Sequence, residues 1–167
     1  MWEPIHAKFE KYPAQEKVVQ LLFERGFQVN ENGKVVSGNI EIPHVQIGRE
    51  ARVDRRVVDA TVLHILEDAV LFDFFKNVRS IPFLVDVAPH LNLGVIIITP
   101  DDGADVGIIS SVTQIISNAG LSIRQAVSDD PYFTEAPRLT IITNEKIPGQ
   151  LVDQLLKAKG VKGVTVH

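Results

Sequence analysis

Apolar residues in the first half of the chain recur at the spacing of amphipathic helices. Within residues 14–25 they form a wide apolar face, and Gly26 follows as the expected helix stop. Residues 55–70 show i, i+3, i+4 spacing throughout, and Asp54 precedes them as a good N-cap. The pattern therefore predicts two helices, and the apolar segment 70–78 is expected to continue the second, either straight or with a kink.

Turn signals and a short helix fill the interval between these two helices. Asn-Gly at 32–33 and Ser-Gly at 37–38 accompany a short β-branched run, which predicts a hairpin or wing-like excursion that ends at Pro43. Residues 44–51 are expected to form a short helix, and a break at 52–53 precedes the long one. The order helix, tight turn, helix is typical of a helix-turn-helix.

The hydrophobic period changes in the second half of the chain. Short β-branched runs alternate with two segments of helical spacing, and each of those segments ends in glycine. The predicted strands are 93–100, 121–128, 138–144 and 161–167, and the predicted helices are 107–120 and 148–160. This βαββαβ order is the ferredoxin-like arrangement, a superfold that hosts many functions.

These patterns predict two domains and an α+β fold class. Residues 1–80 are expected to form a mainly helical, helix-turn-helix-like domain with a short hairpin, and residues 93–167 a ferredoxin-like domain. Residues 81–92 contain two prolines and no clear period, so we expect a connector with some buried residues. A length of 167 residues and a hydrophobic content of 45% suit two small globular domains.

Composition argues against several kinds of site. The chain has no cysteine and its five histidines are widely scattered, so we expect no disulfide, no metal and no cofactor. Asp129 and Asp130 are paired acids without an accompanying nucleophile, histidine or phosphate loop, so we expect a turn there and no enzyme activity. A polar start and the lack of a long uncharged apolar run predict a cytoplasmic chain without membrane contact.

Positive charge concentrates at the predicted helix-turn-helix, although the chain is acidic overall. The net charge is −4, with 11 basic against 13 acidic residues before Leu93 and 6 against 8 from there on. Bulk charge therefore does not indicate a nucleic-acid-binding domain in either half. Arg49, Arg52, Arg55 and Arg56 nevertheless fall within eight positions, where the local balance is +2.

This arginine cluster has two interpretations. If the helix after the turn is a recognition helix, Arg55, Arg56 and Asp59 lie in its first turns, where base-edge contacts are usually made. Arg49 and Arg52 can then touch phosphates, although Arg52 stands where such turns usually have glycine or another small residue. The alternative is that the arginines pair with nearby acids, at about 0.2–0.5 kcal/mol a pair, and the region serves dimerisation or partner docking.

The segment TPDDGADVGIISSVTQIISNAGLSI, residues 99–123, carries the most specific pattern of the second domain. A strand ends in a polar loop, a glycine opens a helix, and that helix ends in Ala-Gly before the next strand. This resembles the signature of ACT domains, in which Gly107, Ile108 and Val112 take the glycine and apolar helix positions. Residues 104–106 depart from it, because Ala, Asp and Val replace the usual polar residue and proline.

The ACT resemblance implies a site for a small effector, usually an amino acid, where the first loop and helix of one subunit meet the second strand of another. Asp102 or Asp105 then accepts hydrogen bonds from an ammonium group, and the helix amides after Gly107 receive a carboxylate. Only one of Arg124 and Gln125 can point into the pocket, since they have opposite facings. The implied positions are Asp102, Ala104, Asp105, Gly107, Ile108, Ser122, Arg124 and Gln125. The alternative is a solvated acidic turn, with Gly107 as a packing residue.

The whole chain resembles a prokaryotic family of predicted regulators of amino-acid metabolism, in which a helix-turn-helix-like region is joined to an ACT domain. The segments that carry this resemblance are IGREARVDRRVVDATV, DVAPHLNLGVI, SIRQAVSDDP and LTIITNEKIPG. It implies a non-enzymatic, allosteric, homodimeric regulator that binds a small effector and DNA. The alternative is a regulatory subunit that controls an amino-acid biosynthetic enzyme by protein contact.

Overall fold

The computed structural model describes residues 2–131, 134 and 136–167, with the backbone alone for residues 2–4. The chain divides into two compact units, Met1–Pro82 and Phe83–His167, and each has its own apolar core. Over the described residues there are seven α-helices and two antiparallel sheets, which confirms the predicted α+β class. We call the two parts the N-terminal and the C-terminal unit.

The N-terminal unit is mainly helical. Its elements are α1 (Trp2–Ala7), α2 (Pro13–Glu24), β1 (Gln28–Val29), β2 (Val35–Ser37), β3 (Ile40–Ile42), α3 (His44–Ala51), α4 (Arg55–Glu67) and α5 (Ala69–Asn77). The helices predicted over 14–25 and 44–51 are confirmed to within one residue. The core contains Phe9, Val18, Val19, Leu22, Val29, Val35, Ile47, Val58, Val62, Ile65, Leu71 and Phe75.

Residues 70–77 are helical as predicted, but they belong to a separate helix, because the chain breaks at Asp68. Asp68 has an extended backbone, and its carboxylate accepts hydrogen bonds from the N–H groups of Val70 and Leu71, both at 3.0 Å. Such capping supplies acceptors for the first N–H groups of a new helix and so favours a new start. Lys8 also donates to this carboxylate and thereby ties the end of the α1 region to α5.

A three-stranded antiparallel sheet, in the order β1-β2-β3, contains the predicted hairpin. Ser37 pairs with Ile40, so the loop between β2 and β3 has two residues. Its first residue, Gly38, has a φ of 60°, a value that two-residue hairpin turns require at that position. Strand β1 consists of two residues, too few for a periodic signal in the sequence.

The C-terminal unit has the ferredoxin-like βαββαβ order that the sequence predicts. Its elements are β4 (Gly94–Pro100), α6 (Ile108–Asn118), β5 (Ile123–Ser128), β6 (Leu139–Thr143), α7 (Gly149–Leu156) and β7 (Val161–Val166). The sheet order is β5-β6-β4-β7, and all neighbours are antiparallel. Helices α6 and α7 pack with one face of the sheet in a core that includes Ile96, Ile98, Val112, Ile116, Ile141, Leu151 and Leu155.

The other face of this sheet is covered by the segment that precedes β4. Strand β4 is apolar on both faces, so the face opposite the helices also needs apolar cover. Leu84 and Ala88, from the segment expected to connect the domains, pack there with Val95 and Ile142. The backbone N–H of Leu84 donates to the Gln125 side-chain oxygen at 3.0 Å.

Gly26 and Gly38 have similar φ values but differ in how closely other atoms approach them, so substituting each in turn separates these two effects on stability. Gly26 and Gly38 have φ values of 61° and 60°. A Cβ on Gly26 would lie 2.2 Å from the Ser80 nitrogen, whereas a Cβ on Gly38 would meet nothing within 4 Å. We expect Gly38→Ala to lower the free energy of unfolding by about 1 kcal/mol, and Gly26→Ala by at least about 1 kcal/mol more, in urea denaturation. Equal losses would show that the approach of Ser80 is not rigid.

The Asp68 cap predicts an acid-sensitive element of stability. The hydrogen bond from Lys8, followed by the one from the Leu71 N–H, holds the pKa of the Asp68 carboxyl below its ordinary value. A lowered folded-state pKa stabilises the fold above the unfolded-state pKa of about 4, and this stabilisation is lost as the pH falls through the folded value. Asp68→Asn keeps a capping side chain but removes the charge, so stability measured from pH 6 to 2 should fall less steeply in the variant. Parallel curves for the two proteins would contradict this.

Candidate functional site

Helices α3 and α4 form a helix-turn-helix with a three-residue turn. The N–H of Val53 donates to the Gly48 carbonyl at 2.9 Å, and Arg52 has φ 56° and ψ 46°. This left-handed cap ends α3, in the place where glycine is usual. A Cβ on Gly48 would lie 2.9 Å from the Val53 oxygen, which explains glycine at that position. The Asp54 carboxylate then caps α4 by accepting from the Arg56 N–H at 2.8 Å.

All four arginines predicted to contact DNA are exposed on this helix pair. Arg55 Nε lies 3.5 Å from Asp59 Oδ2, and Arg56 Nε lies 3.7 Å from Asp54 Oδ1. Within the part of the chain that the structure describes, Arg49 and Arg52 form no ion pair. Arg55 and Arg56 thus pair with nearby acids, as the structural interpretation of the cluster predicts. The guanidinium groups of Arg49 and Arg52 form no such pair and can contact an external anion.

Asp59 links the two helices of the pair. Its Oδ1 accepts a hydrogen bond from His44 Nδ1 at 2.6 Å, which links α4 to the start of α3. The His44 side chain is only 15% exposed, and among the described residues its buried Nε2 has no hydrogen-bond partner. A carboxylate can only accept, so Nδ1 carries the hydrogen in this arrangement. Asp59 therefore positions the two helices, and its Oδ1 is already engaged.

The loop predicted to bind an effector is a tight turn at the end of β4. Asp102 Oδ1 accepts from the N–H of Ala104 at 2.9 Å, and the N–H of Asp105 donates to the Asp102 carbonyl at 3.2 Å. Gly107 precedes α6 with a φ of 97°. Because it has no side chain, it cannot accept a hydrogen bond from the first N–H groups of that helix. Ile108 is 7% exposed and belongs to the core, so it offers no surface to a polar ligand.

Two of the three predicted positions in and just before β5 have partners within the same unit. The N–H of Ser122 donates to Asn144 Oδ1 at 2.8 Å. Gln125 accepts from Leu84 on the sheet face that the preceding segment covers, so it faces away from α6. Arg124 lies at a register shift in β5 and is exposed. Of the two strand residues, Arg124 is the one that remains accessible.

A cavity of about 30 Å³ joins the loop to the hairpin between β5 and β6. Its lining includes Pro100, Gly103, Asp105, Ile108, Ser128, Asp129, Pro137, Arg138 and Leu139. Asp105 and Ile108 belong to the predicted set, whereas Asp129 and Arg138 do not. The sequence predicts only a turn at Asp129. Its ion pair with Arg138, at 3.9 Å, depends on how β5 and β6 are aligned, which the local sequence does not indicate. This volume suits about one water molecule and is far below the range of about 300–1,000 Å³ that is usual for ligand pockets.

No group of three or more His, Asp or Glu side chains among the described residues is placed to hold a metal ion. No helix within that part of the chain is long and apolar enough to cross a membrane.

Comparison with known proteins gives weak structural similarities. No protein-family profile and no curated protein sequence matches the chain. The ACT domain of GTP pyrophosphokinase from Chlorobium tepidum aligns with 45% of this chain and 95% of its own, at 23% identity and a TM-score of 0.34. A transcriptional regulatory protein of the ASNC family from Pyrococcus furiosus aligns with 92% of this chain and 85% of its own, at 10% identity and a TM-score of 0.29. Scores this low carry no argument about function.

Because Arg52 has a left-handed backbone conformation, we expect glycine at this position to increase the stability of the fold. A non-glycine residue in this conformation destabilises the fold by about 1–2 kcal/mol. Glycine avoids this strain but offsets part of the gain, because it makes the unfolded chain more flexible. We expect Arg52→Gly to raise the free energy of unfolding by about 0.5–1 kcal/mol in urea denaturation. Arg49→Gly, in a right-handed position of α3, is the matched control and should lower it by up to about 1 kcal/mol. A loss in Arg52→Gly would show that the arginine side chain stabilises the turn.

Proposed function

We propose that this protein is a ligand-responsive transcription regulator whose N-terminal unit binds DNA through α3 and α4. The observation that supports this is the tight helix-turn-helix with four exposed arginines, of which Arg49 and Arg52 have no ion pair within the described residues. A non-glycine residue in a left-handed turn is strained, and such strain is commonly retained where a side chain has a function. Arg52 fits that pattern.

The four arginines take two roles in this proposal. Arg55 and Arg56 occupy the first turn of α4, from which a recognition helix reaches base edges in the major groove. Arg49 and Arg52 contact phosphates beside it. The pairs that Arg55 and Arg56 make with carboxylates are exposed and worth at most about 1 kcal/mol each, so contact with DNA can replace them.

The acidic net charge limits the expected DNA affinity. A chain with a net charge of −4 gains little from long-range attraction to DNA, so binding must depend on the local cluster. Each neutralised phosphate contributes about −0.9 to the slope of log K against log salt concentration, so Arg49 and Arg52 together contribute about −2. DNA affinity is therefore expected to fall with salt concentration, but with a smaller slope than for strongly basic proteins.

The C-terminal unit acts as the sensor, with a small effector, an amino acid by the ACT resemblance, at the loop of residues 101–107. The start of α6 has no side-chain cap, and a Cβ on Gly107 would meet nothing within 4 Å, so the first helix amides are open to a carboxylate. The cavity of one chain is too small for an amino acid, so a second copy completes the site. Effector and DNA are coupled only if the two states of the dimer differ in effector affinity.

Fluorescence anisotropy with a labelled mixed-sequence DNA duplex tests the proposal. The titration is repeated at several salt concentrations, with and without a mixture of the twenty amino acids. We expect salt-sensitive binding whose affinity changes with amino acids, and a slope smaller by about 1 in Arg49→Gln. Lys162→Gln removes the same charge from β7 and should leave the slope unchanged.

Two results would contradict this function. Absence of salt-sensitive binding at every condition would exclude DNA as the target. Equal effects of Arg49→Gln and Lys162→Gln would show that the attraction comes from overall charge and not from the helix-turn-helix.

A further inference from the structure

The N-terminal unit contains a polar cavity of about 450 Å³ that no residue of α3 or α4 lines. It is open on one side and is bordered by the start of β1, the turn between β2 and β3, and the two residues that follow the C-cap of α5. Its lining residues are Gly26, Gln28, Ser37, Gly38, Asn39, Arg79 and Ser80. The volume falls within the range of about 300–1,000 Å³ that is usual for small-molecule sites.

The chemistry of the lining favours an anion. Arg79 is the charged residue among the lining residues, and none of them is acidic. Arg79 forms no ion pair with any described residue, and the nearby Lys76 is already paired with Glu31 at 2.7 Å. A guanidinium group presents parallel N–H donors that match the oxygens of carboxylate or phosphate.

Hydroxyl and amide groups surround this positive charge. Ser37 and Ser80 each offer a hydroxyl that can donate or accept, and Asn39 offers a carboxamide that can do both. A ligand with one anionic group and further polar groups can therefore form hydrogen bonds with the lining residues. A purely apolar ligand would leave these groups without partners and would bind poorly.

The walls of the cavity are fixed by contacts that need no ligand. The Gln28 side-chain nitrogen donates to the Lys76 carbonyl at 3.1 Å, which ties β1 to the end of α5. Gly26 lies so close to the backbone of Arg79 and Ser80 that no side chain fits between them. A site held in place before binding loses little conformational entropy when its ligand arrives.

We propose that this cavity binds a small soluble oxyanion, a metabolite with a phosphate or carboxylate group held by Arg79. The site shares no residue with the arginine cluster of the helix-turn-helix or with the loop at α6. It gives the N-terminal unit a ligand site of its own, independent of the DNA and effector sites proposed above.

The test is a titration of the full ¹⁵N-labelled chain with inorganic phosphate, and separately with acetate, at an ionic strength held constant with sodium chloride. We expect saturable shifts at the amides of Gly38, Asn39 and Ser80 with at least one of the two anions. Arg79→Gln, a change at an exposed residue, should weaken that binding at least about tenfold. Lys17→Gln, which removes an exposed charge from α2, should leave it unchanged.

Several results would overturn the proposal. Linear, non-saturating shifts with both anions would show no site, and an equal loss in Lys17→Gln would show general charge attraction. Saturable shifts confined to the first amides of α6 would place the anion elsewhere. A DNA salt slope reduced by about 1 in Arg79→Gln would assign Arg79 to the DNA backbone and overturn the separate site, whereas an unchanged slope supports it.

Discussion

Backbone N–H groups that need an acceptor decide where several elements of this chain begin. Asp54 accepts from the first turn of α4, Asp68 from that of α5, and Asp102 from the loop before α6. The first N–H groups of a helix have no backbone acceptor within it, and a side chain that supplies one stabilises the helix by about 0.5–2 kcal/mol, so these carboxylates favour breaks at their positions. The angle between α3 and α4, the separation of α4 from α5, and the shape of the loop after β4 all depend on them.

The same requirement gives the acidic and basic residues different roles. The carboxylates of Asp54, Asp68 and Asp102 accept from backbone groups, and Asp59 accepts from His44, so these acids mainly serve the fold. The basic groups that form no ion pair within the described residues include Arg49, Arg52 and Arg79. An acidic chain can therefore present positive groups to anions at two places on its N-terminal unit, because these arginines form no ion pair with any described residue.

Cover on both faces of the C-terminal sheet has a similar consequence for that unit. The segment that carries Leu84 and Ala88 occupies the face opposite the helices and engages Gln125 there. The exposed parts of this unit include the β5 edge with Arg124 and the uncapped start of α6 after Gly107. The second copy and the effector proposed above would make contact there.

The sequence by itself determined the helix-turn-helix and the βαββαβ order, because apolar periodicity and the residues at helix ends act over a few positions. It did not determine the break at Asp68, since the apolar stripe continues in helical phase across it while the lysine that supports the cap lies 60 positions away. Only the tertiary structure decided which charged side chains form ion pairs. It also decided that Gln125 accepts a hydrogen bond from Leu84, 41 positions away, and that Arg79 lines a polar cavity together with the turn between β2 and β3. These features are contacts through space between distant segments, and local patterns carry no information about which segments meet.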